Sequence, residues 1–219
     1  MNAPIFPSVL STRFCIVRHG ETDWNAARRI QGQTDIPLNA TGHRQALAAA
    51  RGLAKHQFAA LYSSDLQRAR DTAAAAAQLL QLAVIPAPGL RERHYGSFQG
   101  LTKAEAAQQR PDDFVRYHAR EVDFSFGHGE SLSAFAKRIE ATLNELAVRH
   151  PGQTLLLVAH GGVLDVIYRK ATQRPLHTPR DFPIPNAALN WLSISPAGWA
   201  IEHWGEQSHL ESALELVTE

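Results

Sequence analysis

The feature that most constrains this chain is a run of six residues, TLLLVA at Thr154–Ala159, followed at once by His160-Gly161-Gly162. A strand-length run without alternating polar residues is typical of a parallel strand that helices cover on both faces. A second run, RFCIVR at residues 13–18, ends in the same way at His19-Gly20. The sequence therefore predicts two buried strands that each end in histidine and glycine.

Helical spacing and strand-length runs alternate along the rest of the chain. The first half predicts a helix from Thr41, a strand AALYS (59–63), an alanine-rich helix that a capping box of Ser64 and Gln67 opens and that runs to about Leu82, and a strand AVIPA. The second half predicts a long amphipathic helix from Leu132 to a stop at His150-Pro151-Gly152 and a helix after Gly162 to about Ala171. The sequences LNWLSI and WAIEHW predict a terminal hairpin. This alternation predicts an α/β fold, a three-layer sandwich with a mainly parallel central sheet flanked by helices.

The 219 residues show neither internal repeats nor a clear linker, so we expect one domain over residues 1–219. Residues 101–129 are polar, contain Pro111 and predict short helices and loops within a longer segment, residues 93–130. We expect this segment to form a small cap-like insertion over the active site.

Composition excludes several classes of protein. Twenty-two Lys and Arg residues nearly balance 21 Asp and Glu residues, so neither nucleic acid nor an anionic membrane is expected as the main partner. The single cysteine, Cys15, excludes an internal disulfide and a cysteine-based zinc cluster and is expected in the core. The N-terminal segment lacks the features of a signal peptide, and no apolar run is long enough to span a bilayer. We expect a cytoplasmic protein.

The two histidines point to a shared ligand site. Ligands of open α/β sheets bind at the carboxyl ends of the strands, where His19 and His160 are predicted to lie. The glycines allow close backbone approach, and the helix after His160 would present free N–H groups. Arg18 and Arg68 add guanidinium groups, which hold two phosphate oxygens at once. This set predicts a phosphoryl-binding pocket, although a histidine at a strand end is more often a packing or capping residue.

Five segments, in order, resemble the motifs of the histidine phosphatase superfamily, the phosphoglycerate-mutase-like group. They are RHGETDWN (18–25), GQTDIPLNATG (32–42), SSDLQRARDT (63–72), LRERHYGSFQG (90–100) and VAHGG (158–162). The resemblance extends over residues 13–194 and indicates a short, phosphatase-type member.

The resemblance implies a role for each matching residue. His19 matches the nucleophile that becomes phosphohistidine, Glu92 matches the proton donor to the leaving oxygen, and His160 completes the catalytic set. The implied phosphate pocket comprises Arg18, Thr22, Asn25, Arg68, His160 and Gly161, and the implied substrate contacts are Gln31, Gly32, Tyr95 and Lys103. The implied partner is a small-molecule phosphate ester, with no metal and no cofactor. A homodimer is left open.

The same phosphohistidine can pass its phosphoryl group to water or to a second hydroxyl. Tyr95 and Lys103 match positions that contact phosphoglycerate in the mutases. However, Gly161-Gly162-Val163 follows the second histidine, where the mutases usually have Gly-Asn-Ser. Only 67 residues separate Glu92 from His160, which is a shorter insertion than in the mutases. The adjacent arginine pair of the mutases is also missing, since Arg116 and Arg120 are isolated. We therefore favour a phosphatase. A cofactor-dependent phosphoglycerate mutase is the alternative, and a non-catalytic binding protein on the same fold is the remote one.

Overall fold

The computed structural model describes residues 10–210, in which one six-stranded sheet has the order β3-β2-β4-β1-β5-β6. The strands are β1 (Thr12–Arg18), β2 (Ala60–Ser63), β3 (Val84–Pro86), β4 (Thr154–Ala159), β5 (Leu189–Ser195) and β6 (Gly198–Glu206). The first four strands pair in parallel, and β5 and β6 form an antiparallel hairpin beside β1. The predicted α/β fold, mainly parallel sheet and terminal hairpin are confirmed.

The helices divide between the two faces as the handedness of the connections requires. They are α1 (Asp23–Ala26), α2 (Ala40–Leu53), α3 (Gln67–Leu80), α4 (Lys103–Gln109), α5 (Pro111–His118), α6 (Leu132–Arg149) and α7 (Gly161–Ala171), with 3₁₀ turns at Pro88–Leu90 and Gly96–Phe98. The chain moves through the sheet from β1 to β2 to β3 by way of α2 and α3, and returns to β4 by way of α6. Because parallel crossovers are right-handed, α2 and α3 cover one face and α6 covers the other.

The pleat of the central strands separates two hydrophobic clusters. In β1, Phe14 and Ile16 pack in the cluster that contains residues of α6 and α7, whereas Cys15 and Val17 pack in the cluster that contains residues of α2 and α3. The leucines of β4 divide between the two clusters in the same way. Both faces of these strands are therefore covered, which explains their uninterrupted apolar sequences, and Cys15 is a core residue as expected.

The predicted capping box at the start of α3 is wrong. The helix begins at Gln67, and its N-cap is Leu66, which makes no side-chain cap. The hydroxyl of Ser64 lies instead 2.8 Å from Nε2 of His160. The S-x-x-Q pattern was misleading because tertiary packing draws Ser64 to a neighbouring strand end. The helix also ends at Leu80, two residues earlier than expected.

Residues 93–130 contain α4 and α5 and carry a hydrophobic cluster of their own. Phe98, Ala106, Phe124 and Phe126 form its buried part. Neighbouring rings meet edge to face, such as Phe98 and Phe126 at 5.0 Å between centroids. None of the helices in residues 10–210 combines the length and apolar character needed to cross a bilayer.

Candidate active site

Three neighbouring strands place polar side chains at one edge of the sheet. His19 follows β1, Ser64 follows β2 and His160 follows β4, which lies between them. The backbone hydrogen bonds to β4 continue one residue past the ends of β1 and β2. The His19 amide donates to Ala159 O at 2.9 Å, and the Ser64 amide donates to Val158 O at 3.0 Å. Parallel pairing therefore fixes the spacing of the site.

The imidazole of His19 is buried and has a defined tautomer. Its Nδ1 lies 2.7 Å from the carbonyl oxygen of Gly20, and because a carbonyl can only accept, Nδ1 carries the proton. Nε2 is then the ring nitrogen with a lone pair. Burial, followed by the charges of Arg68 and Arg18, lowers the pKa of His19 well below its ordinary value. The ring is consequently neutral and nucleophilic near neutral pH.

The backbone after His19 is held by close packing. A Cβ on Gly20 would lie 2.4 Å from the carbonyl oxygen of Gly42, so only glycine fits there. The Gly20 amide also donates to Thr72 Oγ1 at 3.0 Å, and Asn186 Nδ2 donates to the His19 carbonyl at 2.8 Å. The backbone at His19 and Gly20 is thus fixed by three contacts.

Two guanidinium groups lie beside this imidazole, of which that of Arg68 is fully buried and that of Arg18 is partly buried. Arg18, the last residue of β1, donates from Nη1 to Ile184 O at 2.6 Å. Arg68, in the first turn of α3, donates to Thr34 O at 2.9 Å and to Gly32 O at 2.7 Å. Burial lowers the pKa of each guanidinium to about 10, and the charge of Glu92 opposes that shift in both. Both therefore stay charged at neutral pH.

His160 completes the buried set. Its ring lies 5.2 Å from that of His19, and its Nε2 is 2.8 Å from Ser64 Oγ. Burial, followed by the charges of Arg68, His19 and Arg18, lowers the pKa of His160 well below its ordinary value. If the Ser64 hydroxyl donates to Nε2, the neutral ring carries its proton on Nδ1.

Several buried polar atoms here lack a partner among the described residues. They are Nε of Arg18, Nε of Arg68, Nδ1 of His160 and Oε1 of Gln31. Buried polar groups are almost always hydrogen-bonded, so unpartnered donors gathered at one strand edge indicate a ligand. Three nitrogen donors with two positive charges suit an anion with several oxygens.

Glu92 lies at the N-terminus of α7. Its Oε2 accepts from the Gly162 amide at 2.9 Å, and its Oε1 accepts from the Arg93 amide at 2.7 Å. The flanking arginines point to other partners: Arg91 pairs with Asp65, and Arg93 donates to Glu130 O and Phe124 O. The charges that Glu92 influences most directly are those of the pocket arginines.

Two buried imidazoles, two guanidinium groups and a carboxyl group thus lie near one another at this edge of the sheet. The sequence matches the profile of the Histidine phosphatase superfamily (branch 1) over residues 14–207. This chain belongs to that superfamily.

Relatives within the superfamily carry both phosphatase and mutase names. A metal-independent phosphoserine phosphatase of Arabidopsis thaliana is 41% identical over 204 residues, covering 92% of this chain and 84% of the relative. Phosphoglycerate mutase-like protein 4 of Arabidopsis thaliana is 38% identical over 200 residues, covering 90% and 86%. The structure of a mycobacterial glucosyl-3-phosphoglycerate phosphatase complexed with VO3 matches with a TM-score of 0.79 at 33% identity, covering 89% of this chain and 99% of that one.

Three further residues are predicted from the sequence to line the phosphate pocket of this histidine phosphatase: Thr22, Asn25 and Gly161. Thr22 and Asn25 form a reciprocal capping box at the start of α1, which leaves Nδ2 of Asn25 as the donor of that pair for a ligand. Gly161 is the first residue of α7. A Cβ added to Gly161 would lie 3.5 Å from Nε of Arg18. These three assignments stay predictions.

The predicted substrate contacts also divide. Gln31 is buried with its unpartnered Oε1. Gly32 has a φ of +55°, and its carbonyl orients Arg68. Burial raises the pKa of Tyr95 well above its ordinary value, and the charge of Glu92 is the next cause. Lys103 is the exposed first residue of α4 and makes no hydrogen bond or ion pair with another residue in 10–210, so its role as a substrate contact stays a prediction.

Sequence reasoning missed three residues that hold the site together. Ser64 contacts His160, Asn186 holds the His19 carbonyl, and Gln33 Nε2 donates to the Glu92 carbonyl at 3.0 Å. Ser64 and Gln33 lie within motifs noted above and could have been considered on that ground. Asn186 lies in a loop 167 residues from its partner, and no local pattern marks it.

Proposed function

We propose that this chain is a phosphatase that hydrolyses small-molecule phosphate monoesters through a phosphohistidine at His19. The observation that carries the proposal is the hydrogen bond from Nδ1 of His19 to the Gly20 carbonyl, which leaves Nε2 as a neutral nucleophile beside the guanidinium groups of Arg18 and Arg68. A strand-end histidine that served only for packing would not need unpartnered cationic donors around it.

In the first step, the Nε2 lone pair of His19 attacks phosphorus, and the bond from phosphorus to the ester oxygen breaks. The electron pair of that bond goes to the leaving oxygen, which takes the proton of the Glu92 carboxylic acid. The unpartnered donors of Arg18, Arg68 and His160 stabilise charge on the equatorial oxygens.

In the second step, water attacks phosphorus and the bond from phosphorus to Nε2 breaks. The electron pair returns to the imidazole, and the Glu92 carboxylate takes a proton from the water. Inorganic phosphate leaves, and both catalytic groups return to their starting states. His19, Glu92 and the phosphate pocket thus account for a complete cycle with no other reactant.

Two observations favour water over a second hydroxyl as acceptor. Arg116 pairs with Glu121, and Arg120 pairs with Asp165, so neither replaces the arginine pair of the mutases. In its observed position, the carboxyl group of Glu92 occupies the space that the side chain of the asparagine usual in mutases would need at position 162. The identity to a phosphoserine phosphatase supports the same assignment and makes phosphoserine a substrate to try first. We also propose a single domain with residues 93–130 as the cap, and a cytoplasmic location.

The proposal is tested by following labelled phosphate from a phosphoserine substrate. We expect an acid-labile, base-stable phosphoprotein that His19→Ala abolishes, and phosphate release without added bisphosphoglycerate. Activity should survive complete chelation of divalent ions, because the arginines supply the positive charge that a metal would bring. Normal turnover by His19→Ala would overturn the nucleophile. Cofactor-stimulated interconversion of 2- and 3-phosphoglycerate that exceeds hydrolysis by orders of magnitude would establish the mutase instead.

A further inference from the structure

The side of the pocket beyond Glu92 is where a leaving alcohol must lie if the proposed function holds. Two tyrosines pack together close to Glu92: Tyr95 follows Glu92 by three residues, and its ring meets that of Tyr117 edge to face at 6.2 Å. Burial raises the pKa of both hydroxyls, and the charge of Glu92 also acts on both. The tyrosines thus form one wall beside the proton donor.

A loop connects this wall with the phosphate pocket. At one end, Arg120, three residues after Tyr117, donates from Nε to Leu176 O at 2.8 Å. At the other end, Ile184 O accepts from Nη1 of Arg18 at 2.6 Å. Residues 176–184 therefore run from the tyrosine wall to the phosphate-binding arginine, and Arg180 lies at the midpoint.

The start of this loop is fixed by a buried ionic cluster. Asp165 Oδ2 accepts from Arg120 at 2.7 Å and from Arg169 at 3.0 Å. Arg169, which is almost completely buried, also donates to Pro175 O and to Thr178 Oγ1, each at 2.7 Å. The loop thus presents Arg180 from a rigid base rather than from a free chain.

Arg180 differs from the other arginines of this region because its charge is uncompensated. It is exposed and makes no hydrogen bond or ion pair with another residue in 10–210, whereas Arg120 and Arg174 are each paired with an aspartate. Its charge nevertheless reaches the site. Burial is the main cause that lowers the pKa of Arg18 and the charge of Glu92 opposes it, but the charge of Arg180 comes next, ahead of that of Arg68.

We propose that Arg180 is a specificity residue that binds a carboxylate carried by the leaving alcohol of the substrate. A single guanidinium matches one carboxylate through two parallel hydrogen bonds, while the tyrosine wall packs against the carbon chain between the carboxylate and the ester oxygen. The preferred substrates are then phosphate monoesters of hydroxy acids or hydroxy amino acids, and neutral alcohols are poorer substrates. This inference rests on the proposed function.

The test uses two pairs of esters that differ at the carboxylate. O-phosphoserine is compared with O-phosphoethanolamine, and 3-phosphoglycerate with glycerol 3-phosphate. In the unaltered protein we expect higher kcat/KM for the acidic member of each pair. Arg180→Gln should lower kcat/KM for the two esters that carry the carboxylate by about 10- to 100-fold, mainly through KM, and change the two esters that lack it by less than about threefold. Arg180→Lys should recover part of the loss.

Arg51→Gln is the matched control. Arg51 is an exposed arginine near the end of α2, and its replacement by glutamine removes the same net charge as Arg180→Gln. Equal loss on acidic and neutral esters in Arg180→Gln, or the same loss in Arg51→Gln, would overturn the carboxylate assignment. Equal kcat/KM within each pair in the unaltered protein would also overturn it, while leaving the phosphatase intact. Failure to hydrolyse any ester would instead remove the proposed function, and this inference with it.

Discussion

Glu92 and Gly162 lie so close that any side chain at position 162 would have to displace the carboxyl group of Glu92. The Gly162 amide donates to Oε2 of Glu92 at 2.9 Å, and a Cβ on Gly162 would lie 2.1 Å from Oε1 of the same carboxyl group. The contact places the proposed proton donor at the N-terminus of α7, directly beyond His160. The second glycine of the VAHGG motif is therefore a structural requirement of the position that Glu92 occupies.

Replacing Gly162 with alanine should displace Glu92 and slow the cleavage of alkyl phosphates. We expect kcat for phosphoserine to fall by about 10²-fold, the lower end of the range for losing a general acid. The matched measurement is a double-mutant cycle with Glu92→Gln. If the alanine acts by displacing Glu92, the two losses are not additive, because the second change removes nothing further. Fully additive losses would show that Gly162 serves another purpose.

Replacing Glu92 with glutamine should affect substrates according to their leaving groups. An alkoxide leaves badly unless it is protonated, so hydrolysis of an alkyl phosphate should slow by about 10²- to 10⁴-fold. Nitrophenolate is a stable anion, so hydrolysis of nitrophenyl phosphate should slow far less. Glutamine retains a carbonyl oxygen that can accept from Gly162, which limits the structural change. Equal losses on both substrates would mean that Glu92 positions the phosphate instead of donating a proton.

The parts of the fold that follow from continuous local patterns could be predicted from the sequence. β1 and β4 are buried on both faces, and that burial leaves its mark as uninterrupted apolar runs. The buried face of the long helix α6 is likewise visible in the sequence, as apolar residues at helical spacing. His19 and His160 could be brought together because the carboxyl ends of parallel strands meet at one edge.

The contacts that depend on distant segments could not be predicted. Ser64 satisfies a local capping pattern, yet it bonds to His160, 96 residues away. Arg91 and Arg93 flank Glu92 in sequence, but their guanidinium groups bond to two distant residues, Asp65 and Glu130. Side-chain direction at these positions is set by packing between loops, which no local periodicity records.

Replacing Ser64 with alanine should impair the second imidazole while leaving the nucleophile in place. Without the hydroxyl, Nε2 of His160 loses its partner and the ring loses the bond that fixes its tautomer. One neutral hydrogen bond contributes about 1 kcal/mol, so we expect kcat/KM to fall by about five- to tenfold. Ser63→Ala is the control, because Ser63 is equally buried and donates only to the Ser64 carbonyl. Similar losses in both variants would point to general damage at this strand end.

The two buried histidines should make the folded state sensitive to mild acid. Burial lowers the pKa of both His19 and His160 well below the value of about 6.5 that they regain in the unfolded chain. Above pH 6.5 both rings are neutral in both states, so they impose no penalty. As the pH falls below 6.5, the unfolded chain binds protons that the folded protein does not, and the free energy of unfolding decreases.

The slope of that decrease is the measurable quantity. Each histidine should contribute up to about 1.4 kcal/mol per pH unit below 6.5. Denaturant unfolding between pH 7.5 and 5.5 should therefore give a steeper loss for the unaltered protein than for His19→Asn or His160→Asn, and the double variant should be the least sensitive. Asparagine suits the His160 position because it is a good N-cap for α7. Comparing slopes rather than absolute stabilities removes the pH-independent cost of each substitution. An unchanged slope in the double variant would contradict the buried, neutral state on which the nucleophilicity of His19 depends.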